Sequence, residues 1–377
     1  MQADVFKLSM DHPGDVSALA KLIDSGEIHA DQIVAFIGKT EGNGGVNDFT
    51  RGYFTDRLMT MLSRHLNEPA DALARRLPCI LSGGTEGVLS PHYLVFCRKQ
   101  TDAPGTGALA IGKAFSPVLE HQHVGTRDHA LSVAEAVKAA IADAGIESIE
   151  DVHFVQVKAP CLTSERIAGL REKGVPLPAT SPGQSMALAR AAGAFGVALA
   201  LGDITSEALS ASLFLEDFSR FCDRASVSSG VEVEANEVIV LGNSDTWSGN
   251  LRISHRAMGD AIDLAAVQTV LADLGLSAKS QLSAAERDRI RGVLVKAEPD
   301  RSGRIHGQRH TMLNDTDIDP QRHIRGAVGG VVASVLGDTR IFVSGGAEHQ
   351  GPDGGGLIAV IAENTAGHTP PTQDTGV

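Results

Sequence analysis

Aromatic residues are scarce in this chain: one Trp, two Tyr and twelve Phe among 377 residues, 4% in all. Positive charge is short as well, with 33 Lys and Arg against 46 Asp and Glu and a formal net charge of −13 at pH 7. Without a basic face or stacking surfaces, the chain is a poor candidate for binding nucleic acid. Long apolar runs are missing. The most apolar stretch, 191–201, is broken by glycines and falls far short of the roughly 20 residues of a membrane span. The four cysteines, Cys79, Cys97, Cys161 and Cys222, show no CxxC spacing and read as buried, reduced thiols. The first residues, MQADVFKLSM, lack a basic segment leading into an apolar run, so a cytoplasmic protein is expected. What remains is ordinary globular material, 42% hydrophobic, long enough for two or three domains and a core that needs no disulfide.

Internal repetition is where the sequence becomes informative. Three short apolar, β-branched runs end in a lysine: IVAFIGK at Lys39, VHFVQVK at Lys158 and GVLVK at Lys296. Such runs, bounded by polar loops, predict buried strands. Each is followed by a helix-like stretch carrying an arginine in its early turns: Arg51, Arg190 and Arg325. The last two stretches resemble each other directly, ARAAGAFGVALALGD against IRGAVGGVVASVLGD. After each helix comes Ser-x-Gly: Ser82-Gly83-Gly84, Ser228-Ser229-Gly230 and Ser344-Gly345-Gly346. Any one of these elements is bland. A lysine after a strand is usually a solvated edge residue, and SGG is usually a turn. The order Lys, Arg, Ser-x-Gly repeated three times predicts three similar α/β units, with one face of each sheet covered by helices.

Arranged about one centre, three lysines, three arginines and three serines predict a strongly cationic pocket. Such a pocket suits a small, flat ligand with carbonyl oxygens in threefold array. A neutral lysine can take the proton of a serine and make it a nucleophile. Lysine's free pKa is near 10.4, so poising it near neutrality needs a shift of about three units, or roughly 4 kcal/mol. Burial and adjacent cations both push that way. Backbone N–H groups in the Ser-x-Gly turns would then hold a developing oxyanion. Competing motifs are weaker. His121-x-His123 and His306-x-x-x-His310 lack an evident third zinc ligand. The glycines of 351–356 follow no phosphate-binding pattern, and a turn for a hard cation suits them better.

Several longer strings, GKTEGNGGVNDFTRG, LSGGTEGVLSPH, DVHFVQVKAPCLT, SSGVEVE, GQRHTMLNDTDID and FVSGGAEHQGPDGGG, resemble the cyanuric acid hydrolase and barbiturase family of ring-opening cyclic amide hydrolases. The resemblance runs from DVFKL to about Ala362. It implies three α/β units around a pseudo-threefold axis, sheets forming an inner barrel and helices outside. The units expected are 1–104, 105–250 and 251–362, with a flexible tail at 363–377. It also implies one central site, with Lys158 as general base and Ser228 as nucleophile. Arg51, Arg190 and Arg325 would hold substrate carbonyls, while Ser82, Gly83, Ser229, Ser344 and Gly345 contact the ring. Lys39 and Lys296 would complete two further dyads that polarise rather than attack. No cofactor is needed for the chemistry. A structural Mg²⁺ or Ca²⁺ would sit at Glu298 with backbone groups of Ala347, Gln350, Gly351, Pro352 and Gly355. The family resemblance further suggests a homotetramer acting on a small cyclic amide.

The departures bear on the ring. Cyanuric acid hydrolases typically read GNGC and VKCPLLT, where this chain has Gly45 and Ala159-Pro160-Cys161. Gly45 and Ser228-Ser229 look more like barbiturase, and SGGAEHQG at Ser344 more like cyanuric acid hydrolase. Gln321, four residues before Arg325, falls where the family varies with specificity. Cyanuric acid is the expected substrate, with barbituric acid or another cyclic imide as the alternative. A non-catalytic binder on the same scaffold is a third reading, which intact lysine–serine pairs argue against.

Overall fold

The computed structural model describes residues 1–277 and 280–364; the expected tail falls outside them from residue 365 on. Twelve strands form three four-stranded sheets. The first holds β1 (Gln2–Ser9), β2 (Ile33–Thr40), β3 (Cys79–Gly83) and β4 (His92–Lys99). The second holds β5 (Ala108–Val118), β6 (Val152–Pro160), β7 (Ala225–Gly230) and β8 (Ala235–Ser244). The third holds β9 (Leu251–Met258), β10 (Ile290–Ala297), β13 (Phe342–Gly345) and β14 (Gly356–Glu363). A two-residue hairpin, β11 (Arg304–Ile305) with β12 (Gln308–Arg309), stands apart. Glu363, placed in the tail by the sequence reading, closes the last strand.

One strand order serves all three sheets: β1-β4-β2-β3, β5-β8-β6-β7 and β9-β14-β10-β13. In each, the central strand pairs antiparallel with the fourth strand and parallel with the third. A parallel pair needs a crossover, and in each case a long helix supplies it. The helices are Phe49–Leu66, Pro182–Ala200 and Pro320–Leu336. Their starts are set by side-chain caps. Asp48 accepts from Thr50 N, Ser181 from Gln184 N and Asp319 from Gln321 N, with Pro182 and Pro320 at first helical positions. Because the second helix starts at Pro182, Arg190 sits in its third turn.

The two faces of each central strand are buried against different partners, as the period of two requires. Phe36 and Val95 pack beneath the first set of helices, and Val295 and Ile358 beneath the third set. Their strand neighbours Ile37, Leu94, Leu294 and Leu357 join Phe154 in a cluster shared by all three sheets. The fold is thus mixed α/β with helices outside and sheets meeting within. The sheets remain three separate ladders, and no ladder closes them into a barrel among the described residues.

Candidate active site

The ladders bring each lysine to its serine. Lys39 pairs with Ser82, Lys158 with Ser228 and Lys296 with Ser344, always at the parallel rung. All three lysines are buried, at 0%, 2% and 0% exposure. Burial disfavours an ammonium and is the main cause lowering each of their pKa values from the ordinary lysine range. Neighbouring guanidiniums add to it, Arg325 at Lys39, Arg51 at Lys158 and Arg190 at Lys296.

The three rungs are not equivalent in detail. Lys39 Nζ donates to Ser82 Oγ at 3.2 Å and to Gly83 O at 3.0 Å. Lys296 Nζ donates to Ser344 Oγ at 3.0 Å, and to the carbonyls of Gly345 and Val227. Lys158 instead meets Glu232 Oε1 at 2.7 Å and donates to Leu81 O at 3.3 Å. Ser228 Oγ accepts from Gln156 Nε2 at 3.3 Å. No hydrogen bond joins Lys158 to Ser228 among the described residues. The Glu232 carboxylate favours the Lys158 ammonium and so opposes the effect of burial. Lys158 alone of the three also borders a cavity of about 690 Å³ between the Arg51 helix and β8.

Arg51, Arg190 and Arg325 converge with Ser82, Gly83, Ser228, Ser229, Ser344, Gly345 and Lys158 around one central cavity. Lys39 and Lys296 do not line it; they stand behind their serines. Each guanidinium presents its Nε and Nη2 to a glutamate, the two-pronged geometry in which arginine holds carboxylates best. Arg51 binds Glu232 at 2.6 and 3.3 Å, Arg190 binds Glu348 at 2.7 and 2.6 Å, and Arg325 binds Glu86 at 2.8 and 2.6 Å. Every pair joins a helix following one sheet to a loop leaving another. The second links to the third, the third to the first, and the first to the second.

These glutamates correct the expectation of a strongly cationic centre, because three carboxylates balance three guanidiniums. They were legible. Each stands four residues after its serine, in SGGTE, SSGVE and SGGAE. Nothing in a loop acid's own surroundings in sequence marks it as an arginine partner. The remaining Nη1 edges point elsewhere. Arg190 Nη1 donates to Ser229 Oγ at 3.3 Å, and Arg51 Nη1 lies 3.2 Å from Asp48 Oδ2.

Gln321 does not line this cavity; its Oε1 accepts from Gly346 N at 2.6 Å in the turn after Ser344. At the cation candidate, Glu298 is buried, its N–H donates to Gly355 O at 3.2 Å, and its carboxylate pairs with Arg301 at 2.5 Å. Burial, with Glu348 nearby, pushes its carboxyl up to about 7. Glu348 and Asp353 of the 347–356 turn lie near this carboxylate. Gly351 has φ +118°, and a Cβ there would meet Gly356 O at 2.2 Å. A buried carboxylate with two further carboxylates close by is oxygen-donor chemistry that a hard cation takes, so the residues fit one. The Gln350 side chain is engaged elsewhere: it accepts from Val227 N at 2.6 Å and donates to Gly346 O.

No helix among the described residues is long and apolar enough to cross a membrane. The model of the family described as amidohydrolase ring-opening protein matches residues 4–363. A cyanuric acid amidohydrolase of Azorhizobium caulinodans is 47% identical over 366 residues, 97% of this chain and 99% of the relative. One of Rhizobium johnstonii is 48% identical over 363 residues, 96% of this chain and 98% of the relative. A solved cyanuric acid hydrolase structure superposes with a TM-score of 0.92 at 45% identity, covering 96% of this chain and 99% of that one. With family model, relatives and fold in agreement over nearly the whole length, this chain belongs to the ring-opening amidohydrolases, hydrolases acting on C–N bonds of cyclic amides.

Proposed function

We propose that the chain is a cyanuric acid amidohydrolase, opening the s-triazine ring with Ser228 as nucleophile and Lys158 as general base. The observation that carries this reading is the ring of three lysine–serine rungs and three arginines around one cavity. A planar ligand with three carbonyl oxygens has the same threefold disposition. We read the three sheets as repeat units 1–104, 105–250 and 251–362 about a pseudo-threefold axis, and their common strand order supports it.

In the proposed reaction Lys158, neutral and released from Glu232, takes the proton of Ser228 Oγ. The oxygen attacks a ring carbonyl, and the oxyanion is held by backbone N–H groups of the Ser-x-Gly turns. Collapse breaks the ring C–N bond, and the Lys158 ammonium returns its proton to the leaving nitrogen. Lys158 then takes a proton from water as the hydroxide attacks the acyl-enzyme. Ser228 leaves with that proton, and carboxybiuret is released, which loses CO₂ to give biuret. Arg51, Arg190 and Arg325 hold ring carbonyls by the edges not given to glutamate. Lys39 and Lys296, fixed on Ser82 and Ser344, polarise the other two carbonyls.

A Mg²⁺ or Ca²⁺ held by Glu298 with carbonyls of the 347–356 turn would replace Arg301 there and steady the loop that carries Glu348. Its contribution is structural, and no step of the reaction uses it. The chain is read as a homotetramer, which sedimentation of the purified protein tests.

Loss of ring ultraviolet absorbance, with cyanuric and barbituric acid compared side by side, tests the substrate. Turnover of cyanuric acid is the expected result. Turnover of barbituric acid alone would mean that Gly45, Ala159 and Ser229 outweigh the C-terminal motif. Ser228→Ala retaining ring-opening activity would falsify the dyad.

A further inference from the structure

Directly below each lysine–serine rung lies a second rung facing the shared core, two residues earlier on both strands. In the first sheet it is Ile37 with Ile80, and in the third Leu294 with Phe342. All four are 0% exposed and belong to the shared apolar cluster. In the second sheet the same rung is Gln156 with Ser226. Both are also 0% exposed. A buried polar pair in a layer that is otherwise apolar works against stability unless its hydrogen bonds are satisfied. Breaches of a local packing rule concentrate at functional sites.

The bonds of this pair lead to the reacting atom. Ser226 Oγ donates to Gln156 Oε1 at 2.8 Å, which fixes which end of the amide faces which way. Gln156 Nε2 then points upward and donates to Ser228 Oγ at 3.3 Å. Gln156 does not line the substrate cavity. It reaches the reaction only through the nucleophile.

We propose that Gln156, oriented by Ser226, is a positioning residue that holds the Ser228 hydroxyl for attack and steadies its developing negative charge. The proposal rests on reading Ser228 as the nucleophile. An amide N–H on one lone pair of Oγ leaves the hydroxyl proton free to turn toward Lys158. As that proton departs, charge grows on an oxygen already facing a donor, with no solvent to reorganise. Ser82 and Ser344 accept from their lysines instead, and among the described residues no amide reaches them, because isoleucine and leucine stand beneath. The difference supplies a structural reason why this one serine of the three attacks.

The test is kinetic. Gln156→Leu gives the second sheet the residue found in the third, and kcat is expected to fall about 10- to 100-fold. KM should stay within about twofold, since the cavity wall is untouched. Ser226→Ala, which only frees the amide, should cost about threefold in kcat. In the double variant Ser226→Ala should add nothing to Gln156→Leu, because it acts through the amide already removed. The double variant also restores an apolar rung like those of the other sheets, so it carries the test if Gln156→Leu alone fails to fold. A folded double variant with wild-type kcat overturns the proposal, as does strict additivity of the two changes. If Ser228→Ala is itself active, the nucleophile reading has failed instead, and the two failures are distinct.

Discussion

The first and third lysine–serine rungs are closed on themselves, whereas the second is open. Lys39 and Lys296 each rest on their own serine, buried and away from the cavity. Lys158 occupies the same rung yet is turned to Glu232, and Ser228 is held from below by Gln156. One ladder geometry repeated three times therefore delivers three lysines to equal positions without giving them equal chemistry. The side chains around each rung make the difference, and all of them lie outside the Lys, Arg, Ser-x-Gly order. A lysine bound to a neutral hydroxyl and carbonyls has its charge favoured only by carboxylates it does not touch, Glu86 and Asp48 at Lys39 and Glu348 and Glu298 at Lys296. One bound directly to a carboxylate has its ammonium favoured against the effect of burial.

The widest separation is expected from the serines. Ser228→Ala and Lys158→Ala should each lower kcat by about 10³-fold or more, as loss of a nucleophile or its base does. Ser82→Ala and Ser344→Ala should cost only about 10- to 100-fold, as loss of groups that bind and polarise. Equal losses at all three serines, measured as initial rates of ring absorbance decay, would erase the contrast.

Next come the glutamates that hold the arginines. Glu86→Gln removes a charged two-pronged partner from Arg325 and should raise KM about three- to tenfold while kcat stays within threefold. The corresponding change at Glu232 has a second consequence. Glu232→Gln also takes a carboxylate from Lys158 and makes its ammonium easier to deprotonate. In the proposed reaction the base is neutral Lys158, so activity is expected to rise with pH through the pKa of that lysine. The acid limb of kcat/KM should therefore move to lower pH, by about one unit. A limb that stays put in Glu232→Gln would show that the resting ion pair does not govern the base.

A smaller effect belongs to stability. Lys158 and Arg51, working against burial, hold the Glu232 carboxyl down to about 2. A carboxyl lowered on folding adds stability that is fully present above its unfolded value, near 4.3, and is lost as pH falls through its folded value. Thermal melting temperature should then drop between about pH 4.3 and pH 2, and less steeply in Glu232→Gln. Smallest of all is the response to thiol reagents. Burial pushes Cys79 and Cys97 up to about 12 and Cys161 to about 11, so little thiolate exists at pH 8. Alkylation followed by mass spectrometry should find these cysteines largely unmodified, with activity retained.

The central strands were legible because IVAFIGK, VHFVQVK and GVLVK are short apolar runs with polar ends. The lysines that close them had to emerge at a strand end. Repetition then selected the nine lysine, arginine and serine side chains now found at three rungs and on three crossover helices. Glu86, Glu232 and Glu348 were as visible in spacing as the serines they follow. They were missed because a loop acid taken alone looks solvated, and only packing between units brings each to an arginine. Gln156 lay inside a string already singled out, but a glutamine in a strand run carries no sign of its neighbour.

The sequence by itself determined the periodic content: which strands are buried, where the helices are capped, and that one pattern occurs three times. Those properties depend on residues a few positions apart, where backbone geometry and hydrophobic alternation act locally. Tertiary structure alone decided that Arg51 meets Glu232 across 181 residues and Arg325 meets Glu86 across 239. It also decided that Lys158 rests on a carboxylate while its two counterparts rest on serines. Such contacts follow from how three separately formed sheets pack against one another, and the strength of a charge pair depends on the burial that packing creates.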